Sequence, residues 1–214
     1  MAERGKRVRE TPEEKLARLT QIERTLWAEG CCVAGIDEVG RGPLAGPVVT
    51  ACVSIPENRL VPGVDDSKKL SEKRREALYD SLLEAADYCE TCFLPPELID
   101  EINILNATKQ AMETCAAGFS GVFLVDAVEG LHLPGEARPI VHGDALSYMI
   151  GAASIVAKVA RDRYMIALDE KYPMYGFARN KGYGTAEHIA ALKKYGPCPE
   201  HRRSFIRNFV GEEK

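Results

Sequence analysis

Cys32-Val33-Ala34-Gly35-Ile36-Asp37-Glu38-Val39-Gly40-Arg41-Gly42-Pro43-Leu44-Ala45-Gly46-Pro47, continuing into Val48-Val49-Thr50-Ala51-Cys52-Val53-Ser54-Ile55, is the stretch around which the chain is arranged. A short apolar run, Cys32 to Ile36, leads into two adjacent carboxylates, Asp37 and Glu38. A turn with three glycines and two prolines follows. Val48 to Ile55 then alternates Val49, Ala51, Val53 and Ile55 against Thr50, Cys52 and Ser54, the period of a strand. So short a link makes the two strands antiparallel neighbours. Paired carboxylates repel and are tolerated best with a cation between them. A glycine-rich loop lets the backbone approach a ligand closely. The stretch reads as a metal site beside a backbone-reading loop.

Upstream, Thr11-Pro12-Glu13-Glu14 starts a helix with a capping box, and Leu16, Leu19, Ile22 and Leu26 form its apolar stripe up to Gly30. Downstream, Ser71 caps a helix with Leu78, Leu82 and Leu83 inward, and Tyr88 to Leu94 is a third strand ended by Pro95-Pro96. A helix from Glu97 to about Gly118, broken near Asn103, offers Ala107, Met112 and Ala116 for packing. Val122 to Val125 is a strand apolar on both faces, ending in Asp126. Pro139 to His142 is a further strand with proline at its first position, ending at Gly143-Asp144. A long, widely apolar helix runs from Ser147 to about Lys171, and Thr185 caps another to Tyr195 with Ile189 and Leu192 inward. Hairpin strands followed by alternating strands and helices predict an α/β domain, a mixed sheet with helices on both faces. The domain spans 32–195, preceded by a tail and docking helix at 1–31 and followed by a basic tail with a helical segment at 196–214.

The chain of 214 residues is long enough for one well-cored domain. No apolar run suffices to cross a bilayer and no signal peptide stands at the N-terminus, so neither a membrane nor secretion is expected. Seven cysteines without a framework suggest reduced thiols and a cytoplasmic protein. Cys89 and Cys92 read as small hydrophobes rather than as a metal site. Net charge is -4, yet basic clusters at Arg4 to Arg9, Ser67 to Lys69, Lys73 to Arg75, Arg179 to Lys181 and His201 to Arg203 together could frame a phosphate track. His188 and His201 read as surface residues, and Asp162 as a structural ion pair.

Asp37, Asp126 and Asp144 each stand where an apolar strand ends, the rim at which such sheets gather ligands. With Glu38 they make a cluster of four carboxylates. Carboxylates without histidine or cysteine suit Mg²⁺ or Mn²⁺, and two such ions could serve phosphodiester hydrolysis. Neighbours on a regular strand face opposite ways, so Asp37 and Glu38 converge only if the chain bends at Glu38.

Asp37 to Pro47, Asp66-Ser67-Lys68-Lys69-Leu70-Ser71, Gly143-Asp144, Ala152 to Val159 with Arg161-Asp162, and Lys181-Gly182-Tyr183-Gly184-Thr185 resemble bacterial ribonuclease HII, from about Val33 to Phe205. The resemblance implies an RNase H-like fold and cleavage of RNA in RNA-DNA hybrids. It further implies incision 5' of single ribonucleotides in duplex DNA, leaving 5'-phosphate and 3'-hydroxyl ends. Asp37, Glu38, Asp126 and Asp144 match the catalytic and metal positions, two Mg²⁺ or Mn²⁺ ions being held once substrate is bound. Gly40, Arg41 and Gly42 resemble the element that senses the 2'-hydroxyl, Tyr183 the tyrosine packed on the junction sugar, and resemblance and charge together make Arg41, Ser67 and Lys68 the expected phosphate contacts. The expected partners are RNA-DNA hybrid and ribonucleotide-containing DNA, bound by a monomer. Two places depart from the family: Asp126-Ala127, where glycine more often follows the acid, and Tyr148-Met149-Ile150-Gly151. The rival readings are a ribonuclease HIII-like enzyme, which would lack Gly-Arg-Gly, a non-catalytic hybrid-binding module, and a small-molecule phosphatase.

Overall fold

The computed structural model describes residues 10–210, so the basic run Arg4, Lys6, Arg7 and Arg9 lies outside the described residues. Thr11 caps α1 (Pro12–Leu19) with the expected capping box, but the helix expected up to Gly30 is split. A break at Thr20 starts α2 (Gln21–Ala28); Leu19 and Leu26 are buried in the core, and Leu16 and Ile22 pack against it. The hairpin follows as β1 (Val33–Val39) and β2 (Val48–Ser54), antiparallel as the short link requires. Ser71 caps α3 (Glu72–Ala85), which buries Leu78 and Leu82, while Leu83 faces solvent, against expectation. β3 (Tyr88–Leu94) pairs with β2, and Pro96 opens α4 (Pro96–Ala116). Asn103 breaks α4 with φ 66°, and its side chain accepts from the amides of Leu105 and Asn106, restarting the helix.

β4 (Val122–Asp126) pairs parallel with β1, and β5 (Glu136–Ile140) pairs parallel with β4, completing the order β3-β2-β1-β4-β5. β5 begins earlier than the sequence suggested, so Pro139 lies inside it. That is tolerated because β5 is an edge strand, with a ladder on one side only. After a left-handed residue at His142, the chain forms α5 (Gly143–Leu146), then α6 (Tyr148–Lys171) capped by Ser147. The short α7 (Phe177–Asn180), α8 (Ala186–Tyr195), capped by Thr185, and α9 (Arg203–Ile206) complete the described chain.

Two layers cover the sheet. Val33, Ala51, Val53, Val122 and Leu124 pack towards α6, whereas Ala34, Ile36, Cys52, Phe123 and Val125 pack towards α4. Gly35 makes the first layer possible: a Cβ there would stand 2.1 Å from the backbone carbon of Met149 in α6. All seven cysteines are free thiols. No helix among the described residues is long and apolar enough to cross a membrane.

Candidate active site

Parallel pairing sets the first two acids side by side. Gly35 pairs with Leu124 and Ile36 with Val125, so one further step brings Asp37 of β1 beside Asp126 of β4. Both follow residues of the face towards α6 at intervals of two, and so share that face. Asp37 is buried, and its Oδ1 accepts the amide of Glu38 at 2.8 Å. Burial, with the charges of Glu38 and Asp126, pushes its carboxyl well above the usual range. A hydrogen bond from Ser154 of α6 opposes that shift. Burial raises Asp126 too, against the pull of a bond from the amide of Gly143.

The bend expected at Glu38 does not occur. The pairing with β2 runs unbroken through Glu38-Thr50 and Val39-Val49, and the chain turns only at Gly40, φ +92°. By alternation the backbone of Glu38 directs its side chain to the face opposite Asp37, yet its charge still acts on Asp37. Burial lifts it to about 7, with Arg41 opposing and Asp126 adding to the rise. Arg41 Nη1 is 3.8 Å from Glu38 Oε1.

Asp144 is buried but ends no strand and caps no long helix, since Ser147 caps α6. It sits in the first turn of α5, whose start is tied to β4 by the Gly143 amide donating to Asp126 Oδ1 at 2.8 Å. Lys68 closes the cluster with its Nζ 3.5 Å from Asp144 Oδ2. Partial burial disfavours its charge, but Asp144, Asp37 and Asp66 hold its pKa above the ordinary value. Ser67 is buried, and its hydroxyl is spent on Ser154 Oγ at 2.8 Å. Asp162 is indeed an ion pair, but with Lys158 and Arg75 rather than with its sequence neighbours.

Among the described residues, no three carboxylate, imidazole or thiol groups form a ready-made metal cage. The donor set nevertheless fits a hard divalent cation: oxygen donors only, mutually repelling, with Lys68 and Arg41 as the cations at hand. Magnesium retains several waters and is completed by substrate phosphates, so an open set of acids is what such an ion uses.

Beside the acids, the glycine loop is stitched to two later segments. Leu44 N donates to Gly182 O, Gly46 N to Glu200 O, and Arg202 N to Leu44 O. A Cβ at Gly42 would stand 3.9 Å from Tyr183 Cε1, so Tyr183, 43% exposed, flanks the loop. Arg161, Arg202, His188 and His201 are buried here, so the two histidines are not surface residues. His188 Nδ1 meets Tyr183 O at 2.9 Å, and the two Nε2 atoms meet at 3.0 Å. In sequence the two histidines read as surface and Arg202 as part of a basic cluster, because nothing local says that a polar residue is buried.

The family model of ribonuclease HII matches residues 34–208. The chain belongs to the ribonuclease HII family. It is 48% identical over 201 residues to ribonuclease HII of Ruminiclostridium cellulolyticum, covering 92% of this chain and 79% of that one. It is 52% identical over 181 residues to ribonuclease HII of Acetivibrio thermocellus, covering 83% and 71%. The crystal structure of ribonuclease H2 from Pyrococcus horikoshii OT3 superposes with a TM-score of 0.70 at 28% identity, over 83% of this chain and 96% of that one. As a ribonuclease HII, the protein is a divalent-metal-dependent endoribonuclease of the ribonuclease H class, with the expected α/β fold. The ribonuclease HIII reading is thereby set aside.

Proposed function

We propose that this ribonuclease HII cuts RNA-DNA hybrids and incises duplex DNA on the 5' side of single ribonucleotides, leaving 5'-phosphate and 3'-hydroxyl ends. The observation that carries the reading is the placement of Asp37 and Asp126 on adjacent strands, within electrostatic reach of Glu38 and Asp144, beside a glycine loop flanked by Tyr183.

In this reading Asp37, Glu38, Asp126 and Asp144 hold two Mg²⁺ or Mn²⁺ ions. When bound, such ions activate a water, neutralise the phosphate and stabilise the leaving oxygen. The chain's own residues do the rest. Gly143 N and Ser154 orient two of the acids by hydrogen bonds. Lys68, whose side chain is 82% exposed, and Arg41 offer their charges to the backbone phosphates. Ser67 serves through Ser154 rather than by touching phosphate, because its hydroxyl is buried and already bonded. Gly42, whose Cβ position meets only Tyr183 at van der Waals distance, admits a sugar against the backbone, and Tyr183 packs on the sugar next to it.

The test is a duplex DNA with one ribonucleotide, incubated with the protein and Mg²⁺ or Mn²⁺. Incision 5' of the ribonucleotide, abolished by chelation, is expected. Cutting confined to long hybrids would remove the single-ribonucleotide half of the reading, and no cutting of either substrate would remove the whole.

A further inference from the structure

Arg161 and Arg202 are both fully buried, and neither forms an ion pair among the described residues; even Asp162, next to Arg161, is taken by Lys158 and Arg75. An unpaired buried cation is costly unless its donors are satisfied. Here the partners are carbonyl oxygens. Arg202 donates to Gly46 O from Nε (3.0 Å) and Nη2 (2.8 Å), to Arg41 O from Nη1 (3.0 Å) and to Gly40 O from Nη2 (2.6 Å). Arg161 donates to Pro47 O (2.9 Å), Ala45 O (3.1 Å) and Lys181 O (2.9 Å). The two forks thus hold carbonyls along the glycine loop from beneath, and one carbonyl of the Tyr183 segment.

The consequence follows from peptide geometry. A trans peptide is planar, with C=O and N–H pointing in opposite directions. The carbonyl of Gly40 shares its peptide with the amide of Arg41, and the carbonyl of Arg41 shares its peptide with the amide of Gly42. Drawing both oxygens inward to Arg202 turns both N–H groups outward. Arg41 and Gly42 are exposed, and among the described residues neither amide has a hydrogen-bond partner. Two of the loop's glycines gain a second purpose: a Cβ at Gly40 would stand 2.3 Å from Arg161 Nε, and one at Gly46 would stand 3.4 Å from Arg161 Nη2.

We propose that Arg202, assisted by Arg161, is a positioning residue for sugar discrimination: its grip on Gly40 O and Arg41 O presents the amides of Arg41 and Gly42 to the 2'-hydroxyl. This rests on the reading that the loop senses that hydroxyl. The chemistry requires arginine. A planar guanidinium reaches three carbonyls in fixed directions, whereas the ammonium of lysine keeps the charge but loses the fork.

The test compares the full chain with Arg202→Lys in EDTA, measuring binding to a duplex with one ribonucleotide and to the same duplex in all-DNA form. The wild type should prefer the ribonucleotide duplex. In Arg202→Lys the ratio of the two affinities should fall by about tenfold, the equivalent of a lost hydrogen bond or two, while all-DNA binding stays nearly constant. A folded variant with an unchanged ratio, or with both affinities falling together, overturns the proposal. A wild type without preference sinks the hydroxyl-sensing reading itself, and the proposal with it. Should Arg202→Lys not fold, amide exchange in the wild type decides. The Arg41 and Gly42 amides should exchange freely in the free protein and slow on the ribonucleotide duplex but not on all-DNA. Protection in the free protein overturns the proposal.

Discussion

Asp126 and Gly143 are joined by a hydrogen bond, the amide of Gly143 donating to Asp126 Oδ1 at 2.8 Å. Through it the carboxylate that ends β4 also anchors the start of α5, the helix carrying Asp144. Charge and scaffold therefore meet in one side chain, and a substitution can separate them. Asn keeps the accepting oxygen and removes the charge. Asp126→Asn should lower cleavage by more than the roughly 100-fold typical of outer-shell partners of a metal, while Tm holds or rises as repulsion is relieved. A large drop in Tm would mean that the residue is chiefly structural.

Gly42 separates folding from recognition in the opposite sense. Its Cβ position has no atom nearer than Tyr183 Cε1 at 3.9 Å, and its φ is not in the left-handed region. Gly42→Val should leave Tm nearly unchanged but cut ribonucleotide incision more than it cuts binding to all-DNA duplex. Equal losses in both would count against sugar contact at this position.

Glu38 carries a pH signature. Folded, it keeps its proton up to about 7, whereas the unfolded carboxyl releases it near 4.5. Between those values the folded state binds more protons, so this group's contribution to stability falls as pH rises. Buried His201, lowered to about 4 chiefly by burial and then by His188, acts in the opposite direction over part of that window. The comparison of Glu38→Gln with wild type isolates the carboxylate. Without divalent ions the variant should be more stable by on the order of 2 kcal/mol at pH 8 and nearly equal at pH 5. Parallel pH profiles in denaturant melts would refute the assignment.

Ala127 stands at φ 47°, directly after Asp126. A left-handed alanine costs about 1 kcal/mol relative to glycine. Ala127→Gly should therefore raise Tm by roughly 2–4 °C for a chain of this size. An unchanged or lower Tm would show that the strain is relieved elsewhere.

Gly35 tests how closely α6 lies on β1. An added Cβ would stand 2.1–2.4 Å from the backbone of Met149 and Ile150, atoms that cannot rotate away. Gly35→Ala should destabilise by about 3 kcal/mol, the upper end of overpacking costs, read as a fall in denaturant midpoint.

Much of this was legible in the sequence. The alternation of Val49 to Ile55, the capping box at Thr11, the caps at Ser71 and Thr185 and the continuous apolar run Val122 to Val125 are local signals, so the hairpin, the mixed sheet and the helices could be read from them. The misread places have non-local causes. Pro139 is tolerated because of where β5 lies in the sheet, and the split at Thr20 leaves the apolar stripe intact. Asp144 looked like a strand end because α5 is only four residues long, too short for a period to show.

The sequence by itself determined which acids exist, that the chain is an α/β protein of this family, and that a glycine loop follows the first two acids. Only the tertiary structure decided that Asp37 and Asp126 are neighbours, because parallel register is a relation between segments far apart in the chain. It alone decided that Arg161, which read in sequence as part of a helix motif, and Arg202, which read as one of a basic cluster, lie buried against loop carbonyls. Residue type sets what a side chain can donate. The fold decides whether water or a carbonyl receives it.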